Sequence, residues 1–233
     1  MNSDGWDQLE NEIIHCQRCP RLVAWRQEVA RVKRRAYEDW DYWGRPVPGF
    51  GDPEARLLII GLAPGAHGSN RTGRMFTGDS SGVTLFGALH GAGLANQPSS
   101  THRGDGLRLR DTFITAVGRC APPKNRPTAQ ELNNCRPFLA REIDLLSDLQ
   151  VVLALGHVAF KGYLRLLREQ GHDLPKVTFE HGLYTRLPKP LPALATSYHP
   201  SRQNTQTGRL TLEMFDNVFE TIVQTLPNGP KDL

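Results

Sequence analysis

A chain of 233 residues with 39% hydrophobic content is long enough to bury a substantial core. No stretch approaches the roughly 20 apolar residues of a bilayer span, so no membrane association is expected. Lys and Arg (28) exceed Asp and Glu (24) to give a net charge of +4, which permits a polyanionic partner without demanding one.

The opening MNSDGWDQLENE is acidic and has no apolar stretch, so no signal peptide is expected and the cytoplasm is the natural compartment. Residues 6–15 read as a short helix that ends at a C-x-x-C turn, Cys16 and Cys19, closed by Pro20. A charged helix is predicted from 21 to about 40, with Leu22, Trp25, Val29 and Val32 on one face. Its basic cluster, Arg31, Lys33, Arg34 and Arg35, either meets phosphates or lies in solvent. Residues 42–55, rich in Pro, Gly and aromatics, read as an ordered loop leading into RLLII (56–60), a buried strand.

Next comes GLAPGAHGSNRTGRMFTGDSSG (61–82), a glycine-rich loop, and then a helix over about 82–93 and a polar loop. Residues 111–118 form a second strand and RCAPPKNRP a rigid turn. Thr128 and Glu131 make a capping-box pattern opening a helical region to about 148, which Pro137 is expected to kink or interrupt. Strands follow at 151–156 and 191–199, around a helix at 157–169 and a short strand or loop within 177–187. A polar turn then precedes a last helix with Leu212, Phe215, Phe219 and Ile222 inward. Strands alternating with helices imply an α/β fold with a parallel sheet covered on both faces. With no repeat and no boundary, residues 1–233 read as one domain and a monomer is the simple expectation.

Parallel topology gathers the loops 61–79, 118–127 and 199–209 at the carboxyl ends of the strands, where open α/β sheets bind ligands. Asp79 in T-G-D-S-S-G is either a general base or the N-cap of the next helix. His199, ending an apolar strand, either stabilises an anion or simply closes the strand. Phe76 stacks on a base or anchors its loop; Asn125 and Asn204 present amides to a ligand or cap turns. Arg202 and Gln203 touch a phosphate backbone, probe a duplex or stay in solvent. The glycines match neither G-x-x-x-x-G-K-[ST] nor G-x-G-x-x-G, which counts against a phosphate-loop transferase. The four cysteines, Cys16, Cys19, Cys120 and Cys135, suit a zinc ion, an iron–sulfur cluster or inert buried thiols.

GLAPGAHGSNRTGRMFTGD, SYHPSRQNTQTGRLT, CAPPKNRPT and the early C-x-x-C-P together resemble the type 5 uracil-DNA glycosylases of the uracil-DNA glycosylase superfamily, over nearly the whole chain. The resemblance implies a three-layer α/β/α sandwich around a four-stranded, mainly parallel sheet. It implies a [4Fe–4S] cluster on Cys16, Cys19, Cys120 and Cys135, tying the N-terminal segment to the body. The implied activity is base excision repair: hydrolysis of the N-glycosidic bond of uracil in DNA, leaving an abasic site. The loop from Gly61 to Ala66, with Ala63 and Gly65, would wall the base pocket and Phe76 would stack on the base. His199 would stabilise the departing base, and Asp79 would handle water and the cation-like sugar. Asn125 and Asn204 match further motif positions, while Ser201, Arg202 and Gln203 fall in the loop that would enter the minor groove.

Two positions depart from the wider superfamily: Ala63 stands where its best-known members place a water-activating Asp, and Ala116 where an Asn reads uracil. Both imply looser base reading, with hypoxanthine, xanthine and ethenocytosine as further substrates. They also leave open the alternative of a non-catalytic iron–sulfur module that binds DNA and senses damage.

Overall fold

The computed structural model describes residues 3–226, and among them eight α-helices and six strands. The four apolar runs become strands because branched and aliphatic side chains cover both of their faces. β1 (Phe50–Gly51) is a two-residue edge, while β2 (Leu57–Gly61), β3 (Thr112–Ala116) and β4 (Val151–Leu155) are buried at every position. β5 (Tyr184–Thr185) is the opposite edge, beside β6 (Ala193–Ser197). The pairs β2–β3, β2–β4 and β4–β6 are parallel; β1–β3 and β5–β6 are antiparallel.

The sheet is thus six-stranded and mixed, in the order β1-β3-β2-β4-β6-β5, where four strands were expected. The two added edges are short: β1 comes from the segment that reads as a plain loop, and β5 from the stretch expected as a short strand or loop. Gly51 has a φ of 141°, and a Cβ there would stand 2.3 Å from the Thr112 carbonyl oxygen, so only glycine lets this edge close on β3.

Helices cover both faces. α1 (Ser3–Ile14) and α2 (Pro20–Val32) come first; α3 (Ser69–Thr72) and α4 (Ser80–Gly91) lie between β2 and β3. α5 (Ala129–Leu145) and α6 (His157–Glu169) flank β4, and α7 (Arg202–Gln206) and α8 (Leu212–Thr225) follow β6. Alternate strand residues point to opposite layers. Leu57, Ile59, Ile114 and Leu153 join α4 and α8 through Leu85, Phe86, Phe215 and Phe219. Leu58, Ile60, Phe113 and Val152 join α5 and α6 through Leu139, Phe160, Tyr163 and Leu164. α1 lies along α5, with Leu9 and Ile13 against Phe138.

Four local expectations change. Leu212, expected to face inward with Phe215, Phe219 and Ile222, is exposed at the first position of α8, where the helix has not yet reached the sheet. The charged helix ends at Val32, not near 40: Lys33 takes a φ of 58°, and the chain turns back to lay Tyr37 and Trp40 on Arg71. Its inner face is Leu22, Arg26 and Val29, whereas Trp25 and Val32 are exposed; the Arg26 guanidinium goes inward because it donates to the Gly44 carbonyl at 2.7 Å. α5 runs through Pro137 unbroken, since Phe138 and Leu139, just beyond it, are each held in a core cluster. The predicted capping box is present, Thr128 Oγ1 accepting from the Glu131 N–H and Glu131 Oε2 from the Thr128 N–H.

Candidate active site

The strand register aligns Gly61 with Ala116 and Leu155 with Ser197, so the loops leaving β2, β3 and β6 open on one edge. Between them lies a cavity of about 340 Å³, lined by Ala63, Gly65, Phe76, Asp79, Asn125, His199, Ser201 and Gln203 among others. That is the small end of the range of ligand pockets, ~300–1,000 Å³.

Asp79 is the N-cap of α4. Its Oδ1 accepts from the backbone N–H groups of Ser81 (3.0 Å) and Gly82 (3.3 Å). The two readings of this residue are not exclusive, because Oδ2 points the other way. A Cβ on Gly68 would stand 2.1 Å from that oxygen and one on Gly65 3.0 Å, so the two glycines make the space it occupies. Burial raises the pKa of Asp79; the Gly82 and Ser81 amides and the Arg71 charge oppose the rise.

His199 follows β6 and packs against Gly156, where a Cβ would stand 3.3 Å from its own. Burial pushes its pKa down to about 4, so the imidazole is neutral at physiological pH. Its ring stacks on Phe76 with centroids 5.7 Å apart and planes at 25°. Phe76 is both core and wall: buried in the main cluster, it crosses Gly61, whose missing Cβ would stand 2.6 Å from the ring. Its φ of 54° is unusual for an aromatic residue and marks a backbone held in place by these contacts.

Asn125 lines the mouth, exposed, with a φ of 55°. Asn204 does not line the cavity. Its side-chain amide donates to the His199 carbonyl at 2.8 Å, so it locks the turn that carries His199. Ser201 caps α7 through the Asn204 N–H and also lines the cavity, with Gln203 beside it. Arg202 is exposed on α7 outside the lining, Gly61 lies behind the Phe76 ring, and neither Gly61 nor Ala66 lines the cavity.

A larger cavity, about 790 Å³, lies between α1, β1 and the end of α5. It carries Asp7, Glu10, Glu54 and Asp144 around Trp6, Phe50 and Phe113, a lining of the wrong sign for a nucleic acid. The smaller cavity is the candidate.

The uracil DNA glycosylase superfamily model matches residues 48–223. The type-5 uracil-DNA glycosylase of Thermus thermophilus is 55% identical over 89% of this chain and 92% of its own length. That of Mycobacterium tuberculosis is 55% identical over 91% of this chain and 78% of its own, and that of Pyrobaculum aerophilum 46% over 92% and 91%. The chain belongs to the type-5 uracil-DNA glycosylases.

Within this type-5 chain the four cysteines are all free: Cys16 just after α1, Cys19 capping α2, Cys120 after β3 and Cys135 inside α5. Burial pushes the Cys120 thiol up to about 12 and raises Cys135, and each is also raised by neighbouring cysteines, Cys16 being common to both. Cys120 thus feels Cys135 and Cys16, and Cys135 feels Cys16 and Cys19; four thiols are a donor set of the kind that takes a zinc ion or an iron–sulfur cluster. Among the described residues no group of three or more His, Cys, Asp and Glu side chains is close enough to hold a metal ion.

Leu62 falls within the loop expected to wall the pocket; reading the sequence alone missed Ser69, Met75, Ser81 and Pro122, which complete the lining, and Gly156, which seats His199. Ser69, Met75, Ser81 and Pro122 were within reach, each lying in or beside a quoted motif; Gly156 carries no local signal, since only the tertiary fold brings it to His199.

Proposed function

We propose that this chain hydrolyses the N-glycosidic bond of uracil in DNA and leaves an abasic site for excision repair. The observation that carries the reading is that Asp79 and the neutral His199 line one small cavity at the carboxyl ends of parallel strands. In a duplex the bond is hidden in the base stack, so the nucleotide must be flipped into the cavity. As the bond breaks, the base gains negative charge and the sugar positive charge. A neutral imidazole in a water-poor wall donates a hydrogen bond to the base oxygen where charge develops, and gives up no proton of its own to bulk water first. The Asp79 oxygen not used as helix cap orients the attacking water and faces the cation-like sugar.

Phe76 offers its ring to the face of the base. Ala63 and Ala116 line the cavity with methyl groups where the wider superfamily has a water-activating carboxylate and a base-reading amide. A wall of this kind selects by shape, which supports hypoxanthine, xanthine and ethenocytosine as further substrates. Asn125 at the mouth is the amide best placed to touch the base, and Arg202 and Gln203 on α7 are placed to fill the gap left in the duplex. The non-catalytic alternative is not favoured, since relatives at 55% identity carry the names of glycosylases. The four cysteines would hold a [4Fe–4S] cluster, which ties the N-terminal segment to β3 and α5 and takes no part in the hydrolysis. We read the chain as a single domain acting as a cytoplasmic monomer; no described helix is long and apolar enough to cross a membrane.

The test is alkali-induced strand scission of a duplex with one G·U mismatch. Wild type should cleave it, and Asp79→Ala should be slower by about 100-fold or more. Equal cleavage by both would move the water-orienting role away from Asp79. No cleavage by wild type, on uracil or hypoxanthine, would overturn the assignment.

A further inference from the structure

Arg71 is buried, 3% exposed, yet it does not line the cavity. It projects from α3 and its guanidinium lies between two rings, 4.0 Å from the centroid of Tyr37 and 3.9 Å from that of Trp40. Nε donates to the His67 carbonyl at 2.8 Å and Nη2 to the Gly78 carbonyl at 2.9 Å. One planar group thus bridges two points of the loop eleven residues apart in sequence, the second of them adjacent to Asp79. The fit is close: a Cβ on Gly78, at a φ of 81°, would stand 2.5 Å from Nη2. Nη1 makes no hydrogen bond within the protein. A cation is retained here at the cost of burying an incompletely satisfied donor, where a neutral side chain would pack between the rings as well.

We propose that Arg71 is a positioning residue for Asp79, holding the loop that presents it and supplying the positive charge behind it. This rests on the reading of Asp79 as the carboxylate that orients water. The surroundings leave Arg71 as the dominant charge on that group. Gly65, Gly68, Ser81 and Gly82, which touch Asp79, carry none. His199, across the cavity, is neutral at physiological pH, and His67 is turned toward the Tyr42 hydroxyl, 3.0 Å away, and held toward its neutral form by burial, Arg34 and Arg71. Without Arg71, the burial of Asp79 is opposed by two backbone amides alone. Lysine at this place would keep the charge but lose the planar fork that spans both carbonyls.

The test follows the Asp79 carboxyl carbon by NMR against pH, assigned with Asp79→Asn, in wild type, Arg71→Met and Arg71→Lys, beside single-turnover release of uracil. Arg71→Met should move the Asp79 midpoint to higher pH, slow release on the order of 100-fold and leave affinity for the uracil duplex unchanged. Arg71→Lys should return the midpoint toward wild type while release stays slow. Where Arg71→Met does not fold, Arg71→Gln carries the same comparison, with an amide donor for Gly78 and no charge. An Asp79 midpoint that is the same with and without the cation overturns the proposal. So does slower release explained wholly by weaker DNA binding. The titration needs no turnover, so a wild type that releases no base would defeat the glycosylase reading and still leave Arg71 decided.

Discussion

Asp79 caps α4 with one oxygen and, in the proposed reaction, would orient water with the other, and the two tasks can be separated by substitution. The cap task needs a side-chain acceptor, which asparagine supplies as well as aspartate, whereas alanine removes it at a cost of about 0.5–2 kcal/mol. The ionised form is the costly one in the fold, because burial raises the pKa above its ordinary 3.8. Stability contributed by such a group is fully present below the unfolded pKa and is lost as pH rises through the folded one. Asp79→Asn should therefore match or exceed wild type in thermal stability at neutral pH, with an advantage that shrinks on acidification, and should still fail to release uracil. Asp79→Ala should lose both stability and turnover. Thermal melts of the three proteins at two pH values check this, and an Asn variant as unstable as the Ala variant would contradict it.

The elements meet at buried ion pairs. Arg56 at the start of β2 bonds Asp111 at the start of β3. At the other end of β3, Arg119 donates to Glu142 of α5 at 2.5 Å, and Thr115 Oγ1 donates to the same oxygen at 2.6 Å. Arg119 and Glu142 are each about 1% exposed, and they fix the loop after β3, with Cys120, against the helix that holds Cys135. Removing one partner strands the other charge, so Glu142→Ala should cost about 3–5 kcal/mol in denaturant unfolding. Arg119→Met with Glu142→Leu should cost less than the single change, because no buried charge is left over. Equal losses would mean that the pair acts through packing alone.

Across the whole molecule the four cysteines lie in segments far apart in sequence: the α1–α2 turn, the loop after β3 and α5. A shared cluster there would act as a cross-link for the N-terminal helices, adding to Leu9 and Ile13 against Phe138, Arg21 on Glu131 and Arg26 on the Gly44 carbonyl. Protein purified without oxygen should be brown, and Cys120→Ala should bleach the visible absorption. Unchanged spectra across all four cysteine variants would remove the cluster from the assignment. The two cavities give the molecule a polarity, with the carboxylate-lined one beside α1 and β1 and the glycine-walled one at the carboxyl ends of the strands.

Sequence by itself determined what depends on short-range chemistry. The branched runs 56–60, 111–118, 151–156 and 191–199 could only be buried strands, Thr128 and Glu131 announced a helix start, and the glycine-rich loop with Asp79 and the strand-ending His199 announced the site. Tertiary structure decided what depends on approach between distant segments. Gly51 makes an edge strand because its missing Cβ admits the Thr112 carbonyl. Arg26 and Arg71 turn inward because carbonyls and rings from elsewhere receive them. Asn204 is withdrawn from the cavity by the His199 carbonyl, and the second oxygen of Asp79 has room because Gly65 and Gly68 carry no side chain beside it. A local pattern records what a residue can do, and burial and neighbouring dipoles select which of those things it does.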